Sequence, residues 1–187
     1  MISTGPRPLR TAAQAVEVAR SLVGTGIYWL GTGDMDTPRG GRSDCAGFAI
    51  DRCYGLRRHR PGFNRGPWAS VEDDLNCNSA IEDADHNQEL FERVTTPFPG
   101  ALLAYPTFRL PGHPRPWIGH IAIVVGVSRC HEFDVRRPNW SLLDVVQCGG
   151  TDGKTPAIVA SSGEHWSDHD RTWPKPEHRS VLLRALP

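Results

Sequence analysis

Three residues of this sequence are chemically out of keeping with their surroundings: Cys45, His120 and Gln147. Cys45 lies in Ser43-Asp44-Cys45-Ala46-Gly47-Phe48, where Ser43 or Asp44 can cap a helix that begins at the cysteine. Unpaired backbone N–H groups and the dipole at a helix start favour the thiolate, which is the nucleophilic form of the side chain. Ala46 and Gly47 are small enough to let a substrate or another element come close. His120 opens the apolar run Gly119-His120-Ile121-Ala122-Ile123-Val124-Val125-Gly126. An imidazole buried there without a partner costs about 1–3 kcal/mol, so a partner is expected. A thiol–imidazole pair needs one ring nitrogen towards sulfur and the other held by an orienting group. Gln147, in Asp144-Val145-Val146-Gln147-Cys148-Gly149, can be that group, with Asp144 as the alternative because sequence leaves the strand register open. Most cysteines are simply small buried hydrophobes. It is the conjunction of helix-start Cys with His and Gln on successive strands that points to acyl transfer.

The elements that must hold these residues follow from patterning. Thr11 with Gln14 forms a capping box before a helix to Val23, with Ala12, Ala15, Val16, Ala19 and Val23 on one face. The helix from Cys45 presents Ala46, Ala49, Ile50 and Cys53 and stops at Gly55. Residues 70–73 and 79–82 each read as the start of a short helix. Beyond the Pro99-Gly100 turn, residues 101–105, 120–127, 142–148, 157–161 and 179–183 read as strands between Pro, Gly and Asn/Asp loops. Helices first and strands afterwards predict an α+β domain with N-terminal helices on a mostly antiparallel sheet. The expectation is a single domain over residues 1–187, its core about 11–150 and its last strands running to 185.

Composition narrows the function classes. The chain has 187 residues, of which 39% are hydrophobic and 22% charged, enough for one packed core. Lys+Arg and Asp+Glu each number 21, so no basic excess points to nucleic acid. Arg57, Arg58, Arg60 and Arg65 form a local basic run that reads as a solvated loop. No apolar run approaches the roughly 20 residues of a membrane span. The first eight residues lack the apolar centre of a secretory signal. A protein made in the cytoplasm, reaching any outside target by lysis, injection or virion assembly, is expected. Five cysteines without a C-x-x-C pair suit neither a disulfide framework nor a structural zinc site. No cofactor is called for.

The motifs resemble a known family. Tyr28-Trp29-Leu30-Gly31, Asp44-Cys45-Ala46-Gly47-Phe48, Pro99-Gly100-Ala101-Leu102-Leu103 and Gly119-His120-Ile121-Ala122-Ile123-Val124-Val125-Gly126 look like the NlpC-type cell-wall peptidases. These belong with the CHAP amidases to a papain-like superfamily, and the resemblance covers about residues 11–150. It implies Cys45 as nucleophile, His120 as base and Gln147 in the third position. It also implies Tyr28 as an aromatic that helps the oxyanion and Asp44 as an acid that meets a substrate amine. The implied substrate is a peptidoglycan peptide, cut after D-glutamate, with a CHAP-like amidase or cross-bridge endopeptidase as the alternative. Such an enzyme would be a phage lysin, a virion tail component or an antibacterial effector with a cognate inhibitor protein. Ala46 replaces the usual Ser, and Ala101 the usual Asp, of the family pattern.

Two rival readings arise from other residues. His165 and His169, with His113 and His131, could ligate a metal, but there is no H-E-x-x-H and residues 165–169 read as a loop. Six tryptophans could instead make an inactive glycan- or peptide-binding module. Of these, Trp29 reads as core, while Trp68, Trp117, Trp140, Trp166 and Trp173 lie in loop-like segments. Cys77, in Asn76-Cys77-Asn78, reads as incidental, Cys53 and Cys148 carry no role, and Cys130-His131 falls on opposite faces of any strand.

Overall fold

The computed structural model describes residues 10–32, 38–56, 76–112, 114, 116–128, 132–134, 136 and 138–187. The arginines 57, 58, 60 and 65, Trp68, the helix start expected at 70–73, His113, Cys130 and His131 lie outside them.

Helix α1 spans Ala12–Leu22. Thr11 accepts the Gln14 N–H at 3.3 Å while Gln14 accepts the Thr11 N–H at 3.0 Å, closing the expected capping box. Ala15, Val16, Ala19 and Leu22 are buried. Val23, expected on that face, is the C-cap residue with extended ψ and is 37% exposed, so Leu22 takes its inward place. Strands β1 (Ile27–Tyr28) and β2 (Arg42–Ser43) pair in parallel, Tyr28 opposite Ser43. Helix α2 covers residues 45–53, and Gly47–Cys53 is wound as a wide π-helix buried along its whole length. Gly55 N–H reaches Asp51 O at 2.8 Å and Leu56 N–H reaches Ile50 O at 3.2 Å, so the glycine ends the helix as its position foretold.

Helix α3 is Cys77–Glu82, continued by a π-turn at Asp83–Asn87. Its cap is Asn76, whose side chain accepts from Asn78 and Ser79 N–H groups. The expectation that Ser79 begins this helix is therefore corrected. Ser79 closes the box from the third position, and Cys77 becomes the first helical residue, buried at 5% exposure.

Strands β3 (Phe91–Val94), β4 (Leu102–Tyr105), β5 (His120–Val127), β6 (Leu143–Cys148), β7 (Ile158–Ser162) and, last in the chain, β8 (Val181–Ala185) form one sheet. Its order is β3-β8-β4-β5-β6-β7, antiparallel throughout. β3 was not foreseen, because Phe-Glu-Arg-Val offers little apolar signal at a sheet edge. What makes it is the Asp83 carboxylate, which accepts the Glu89, Leu90 and Phe91 N–H groups.

Both faces of the sheet are covered. On one, α1, α2 and α3 pack Val16, Ala19, Phe48, Ile50 and Ala80 onto Leu102, Ile121, Ile123 and Val146. On the other, Leu103, Tyr105, Ala122, Val124 and Val145 meet Trp140 and Trp166. Trp166 comes from helix α4, Glu164–Thr172, where a loop was expected. That helix starts at Gly163 with no side-chain cap and buries only Trp166 and His169, so it leaves almost no periodic signal. A Cβ on Gly163 would lie 2.2 Å from the Trp140 carbonyl oxygen, which explains a glycine at this start. The mixed helices and antiparallel sheet make the fold α+β. The tryptophan assignment is also corrected: Trp29 is 38% exposed beneath Arg42, whereas Trp140 and Trp166 are buried. Among the described residues no helix is long and apolar enough to cross a membrane.

Candidate active site

Cys45 is placed by its neighbour. One oxygen of Asp44 accepts the Gly47 N–H at 2.7 Å and caps α2, while the other accepts the Gly31 N–H at 2.8 Å. The Asp44 N–H in turn reaches Thr32 O at 2.9 Å. The carboxylate thus rivets the Tyr28–Thr32 segment to the helix start. Asp44 is 2% exposed with both oxygens turned to backbone, so in this structure it is a positioning group. The Ser43 carbonyl oxygen receives the Cys148 thiol at 3.2 Å, tying the approach to α2 onto β6.

At the other side of the thiol is the start of β5. A Cβ on Gly119 would come within 2.7 Å of Thr107 N and 2.8 Å of Tyr105 O. Glycine alone lets β5 enter tightly against the end of β4, and the next residue is His120. Its Nε2 lies 2.7 Å from Gln147 Oε1. The amide is oriented by a second bond, Gln147 Nε2 donating to Ser161 Oγ at 2.9 Å. With the carbonyl end facing the ring, His120 Nε2 must donate, which leaves Nδ1 to deal with the Cys45 thiol. Trp166, itself fully buried, lies against the imidazole, ring centroids 5.4 Å apart, and covers that face of the ring. The register pairs Ala122 with Gln147, whereas Asp144 pairs with Gly126 at the far end of the strand. Gln147, and not the exposed Asp144, is therefore brought to His120.

The electrostatics separate Cys45 from the other buried thiols. A hydrogen bond with Cys77 holds the Cys45 thiol well below its ordinary range. Burial opposes this, and hydrogen bonding to His120, the imidazolium charge and the Ile121 N–H add to it. Burial also works against a charged His120, but the bond and charge of Cys45, with Gln147 and Asp44, raise the imidazole pKa overall. Both shifts act in the same sense, towards thiolate at Cys45 and imidazolium at His120. By contrast, burial drives Cys148 up to about 12 and Cys53 higher still. Strong perturbation towards the reactive form at one thiol is what a functional site does.

A cleft of about 380 Å³ opens onto this chain and is lined by Tyr28, Tyr105, His120, Gln147, Lys154 and His165, among others. That is within the range of small-ligand sites. Cys45, 6% exposed, sits beneath the rim instead of lining it. Burial first, and then the nearby Cys45 and Asp44, raise the Tyr28 phenol, so it stays an O–H donor. Tyr105 and His165 were not singled out as a pair by sequence, yet Tyr105 OH meets His165 Nε2 at 2.9 Å. Burial, then His120 and His169, lower the His165 pKa, which favours the neutral ring. His169 points elsewhere: its Nε2 donates to His178 O at 2.8 Å, and its ring stacks on Tyr105. The expected histidine pair is thus divided between the cleft and the packing behind it. Among the described residues, no three His, Cys, Asp or Glu side chains are grouped to hold a metal ion. Cys77, read as incidental, lies with its sulfur 3.9 Å from that of Cys45.

Models of known protein families and curated proteins give no match to this chain.

The His120–Gln147 bond has a measurable consequence. In Gln147→Ala the imidazole loses the acceptor that fixes its tautomer. A hydrogen bond to a charged group is worth about 1.5–3 kcal/mol, which, if this site hydrolyses amides, corresponds to roughly a 10- to 100-fold loss of kcat/KM. Gln147→Glu keeps an acceptor at the same place and should retain most of the rate. Equal losses in both variants would show that the acceptor is not what matters.

Proposed function

We propose that this protein is a cysteine hydrolase of papain-like fold that cuts amide bonds in peptidoglycan peptides. The observation that supports the reading best is the chain from the Cys45 thiol through His120 to Gln147, with the thiol's proton affinity lowered. In the proposed reaction the Cys45 thiolate attacks the amide carbonyl carbon. Within the first turn of α2, Gly47 N–H is taken by the Asp44 side chain and Phe48 N–H by the Asp44 carbonyl. The Cys45 N–H and the Tyr28 O–H are the donors we assign to the oxyanion. His120, already protonated in the pair, gives its proton to the leaving amine and later takes one from the water that releases the acyl group. Gln147 and Ser161 keep the ring in line, and Trp166 covers one face of it. No step requires a metal.

The substrate class rests on the likeness of the Tyr28, Cys45, Pro99 and His120 segments to NlpC-type enzymes. We assign the bond between D-glutamate and the diamino acid as the one cut. Mass spectrometry of purified muropeptides after incubation tests this. A new free N-terminus on the diamino acid supports the assignment. Free N-acetylmuramic acid replaces it with a CHAP-like amidase. Wall and muropeptides left intact by a folded protein would remove both.

A further inference from the structure

No bond made or broken in the reaction above involves a second sulfur, which enters it only as a hydrogen-bond partner of the Cys45 thiol, yet one is built against the first. Cys77 is the first residue of α3, held by the Asn76 cap, and comes from 32 residues further along the chain. Its thiol is 5% exposed, its neighbours Ala80 and Ile81 fix the helix in the core, and its sulfur touches that of Cys45 at 3.9 Å. A thiol that merely fills space has no need to meet the nucleophile. The two other described cysteines, Cys53 and Cys148, are fully buried, with thiols held protonated by burial.

We propose that Cys45 and Cys77 form a redox-modification site, in which a hydroperoxide converts the pair into a reversible intramolecular disulfide that switches the nucleophile off. The inference rests on Cys45 being the reactive thiol of the proposed function. The Cys45 thiolate attacks one oxygen of hydrogen peroxide, the O–O bond breaks, and the sulfur is oxidised to a sulfenic acid. The departing hydroxide takes the proton of the His120 imidazolium and leaves as water. Cys77 sulfur then attacks Cys45 sulfur, the S–O bond breaks, and the hydroxyl leaves with the Cys77 proton as a second water. In sum two thiols lose two electrons and two protons, and the peroxide is reduced to two waters. Closing the bond brings the sulfurs from contact at 3.9 Å to about 2.0 Å, the length of a disulfide. A resolving thiol in contact with the oxidised sulfur captures the sulfenic acid before it proceeds to irreversible sulfinic acid. The small oxidant needs little more opening than the 6% exposure of Cys45 gives.

The test is to treat the reduced full-length protein with hydrogen peroxide, block remaining thiols with iodoacetamide, and map the digest by mass spectrometry. The expected result is a peptide linking Cys45 to Cys77, with muropeptide hydrolysis lost in step and regained on dithiothreitol. In Cys77→Ala and in Cys77→Ser, Cys45 should instead gain two or three oxygens, and reductant should recover nothing. A wild-type protein whose Cys45 is over-oxidised without forming the link, or whose link runs to another cysteine, overturns the proposal. The mapping needs no substrate. A Cys45–Cys77 link in a protein that never cuts peptidoglycan would therefore count against the proposed function and not against this site.

Discussion

Cys45→Ala should abolish hydrolysis, lowering kcat/KM by at least about 10⁴-fold, while leaving the fold in place. The magnitude follows from what the thiol does: removing the nucleophile of a concerted triad costs about as much as removing the whole triad. What remains is binding and whatever the oxyanion donors offer an unassisted water. The structural cost is small. Cys45 is compact and buried, and its loss deletes one sulfur from a site where His120 can revert to neutral and keep Gln147 as partner. A deletion of that size costs about 1 kcal/mol, or roughly 2–4 °C in Tm for a chain of this length. The measurement is therefore paired: turnover on muropeptides, and the melting curve of the same preparation. Cys45→Ser should be nearly as inactive, because an alcohol is not ionised by the partners that ionise the thiol. A Cys45→Ala protein that still weakened cell walls as wild type does would turn attention to a binding module, with the exposed Trp29 and Trp117 as its contact points.

How far the site could be read from sequence depended on whether its signals were local. Cys45 at a helix start, with Asp44 as cap and Gly55 as stop, is written within a dozen consecutive residues. The same holds for His120, a polar residue opening an apolar strand behind an obligatory glycine. Gln147 stood out as an amide in an apolar strand, but its choice over Asp144 needed the β5–β6 register, which no local pattern encodes. The residues missed were those whose role is set by packing across long separations. Cys77 gave no sign in a run of Asn and Cys, because its meaning lies in the meeting of α2 with α3. Trp166 and His165 were read as loop because α4 has a glycine start and buries so little. Yet α4 supplies both the indole that shields His120 and an imidazole in the cleft. Strand β3 was hidden for a related reason: an aspartate eight residues before it, rather than its own composition, turns the chain into the sheet edge.

The pH dependence of alkylation at Cys45 should separate a true ion pair from two residues that happen to be neighbours. In the native protein the thiol titrates below, and the imidazole above, their ordinary values of about 8.5 and 6.5. The thiolate–imidazolium pair therefore fills the interval between the two, and iodoacetamide should react at a nearly constant rate through neutral pH. The rate should fall only as acid protonates the sulfur, well below the limb of a free thiol. In His120→Ala two influences that lower the thiol are removed, the hydrogen bond and the positive charge. Burial, which raises it, stays, opposed by Cys77 and the Ile121 N–H alone. The limb should thus move upward, and at neutral pH both alkylation and hydrolysis should drop. Hydrolysis drops further, by about 10²- to 10⁴-fold, because no acid remains to protonate the leaving amine. Stability carries the same signs. The raised imidazole contributes fully below the unfolded value and loses its contribution as pH climbs through the native one. The lowered thiol contributes above the unfolded value and loses its contribution as pH falls through the native one. Wild type and His120→Ala should accordingly differ most in stability in the interval where both contributions are present, and less on either side of it. A wild-type limb at the free-thiol position, unmoved by His120→Ala, would mean that the imidazole does not ionise the sulfur and that the acyl-transfer reading fails at its first step.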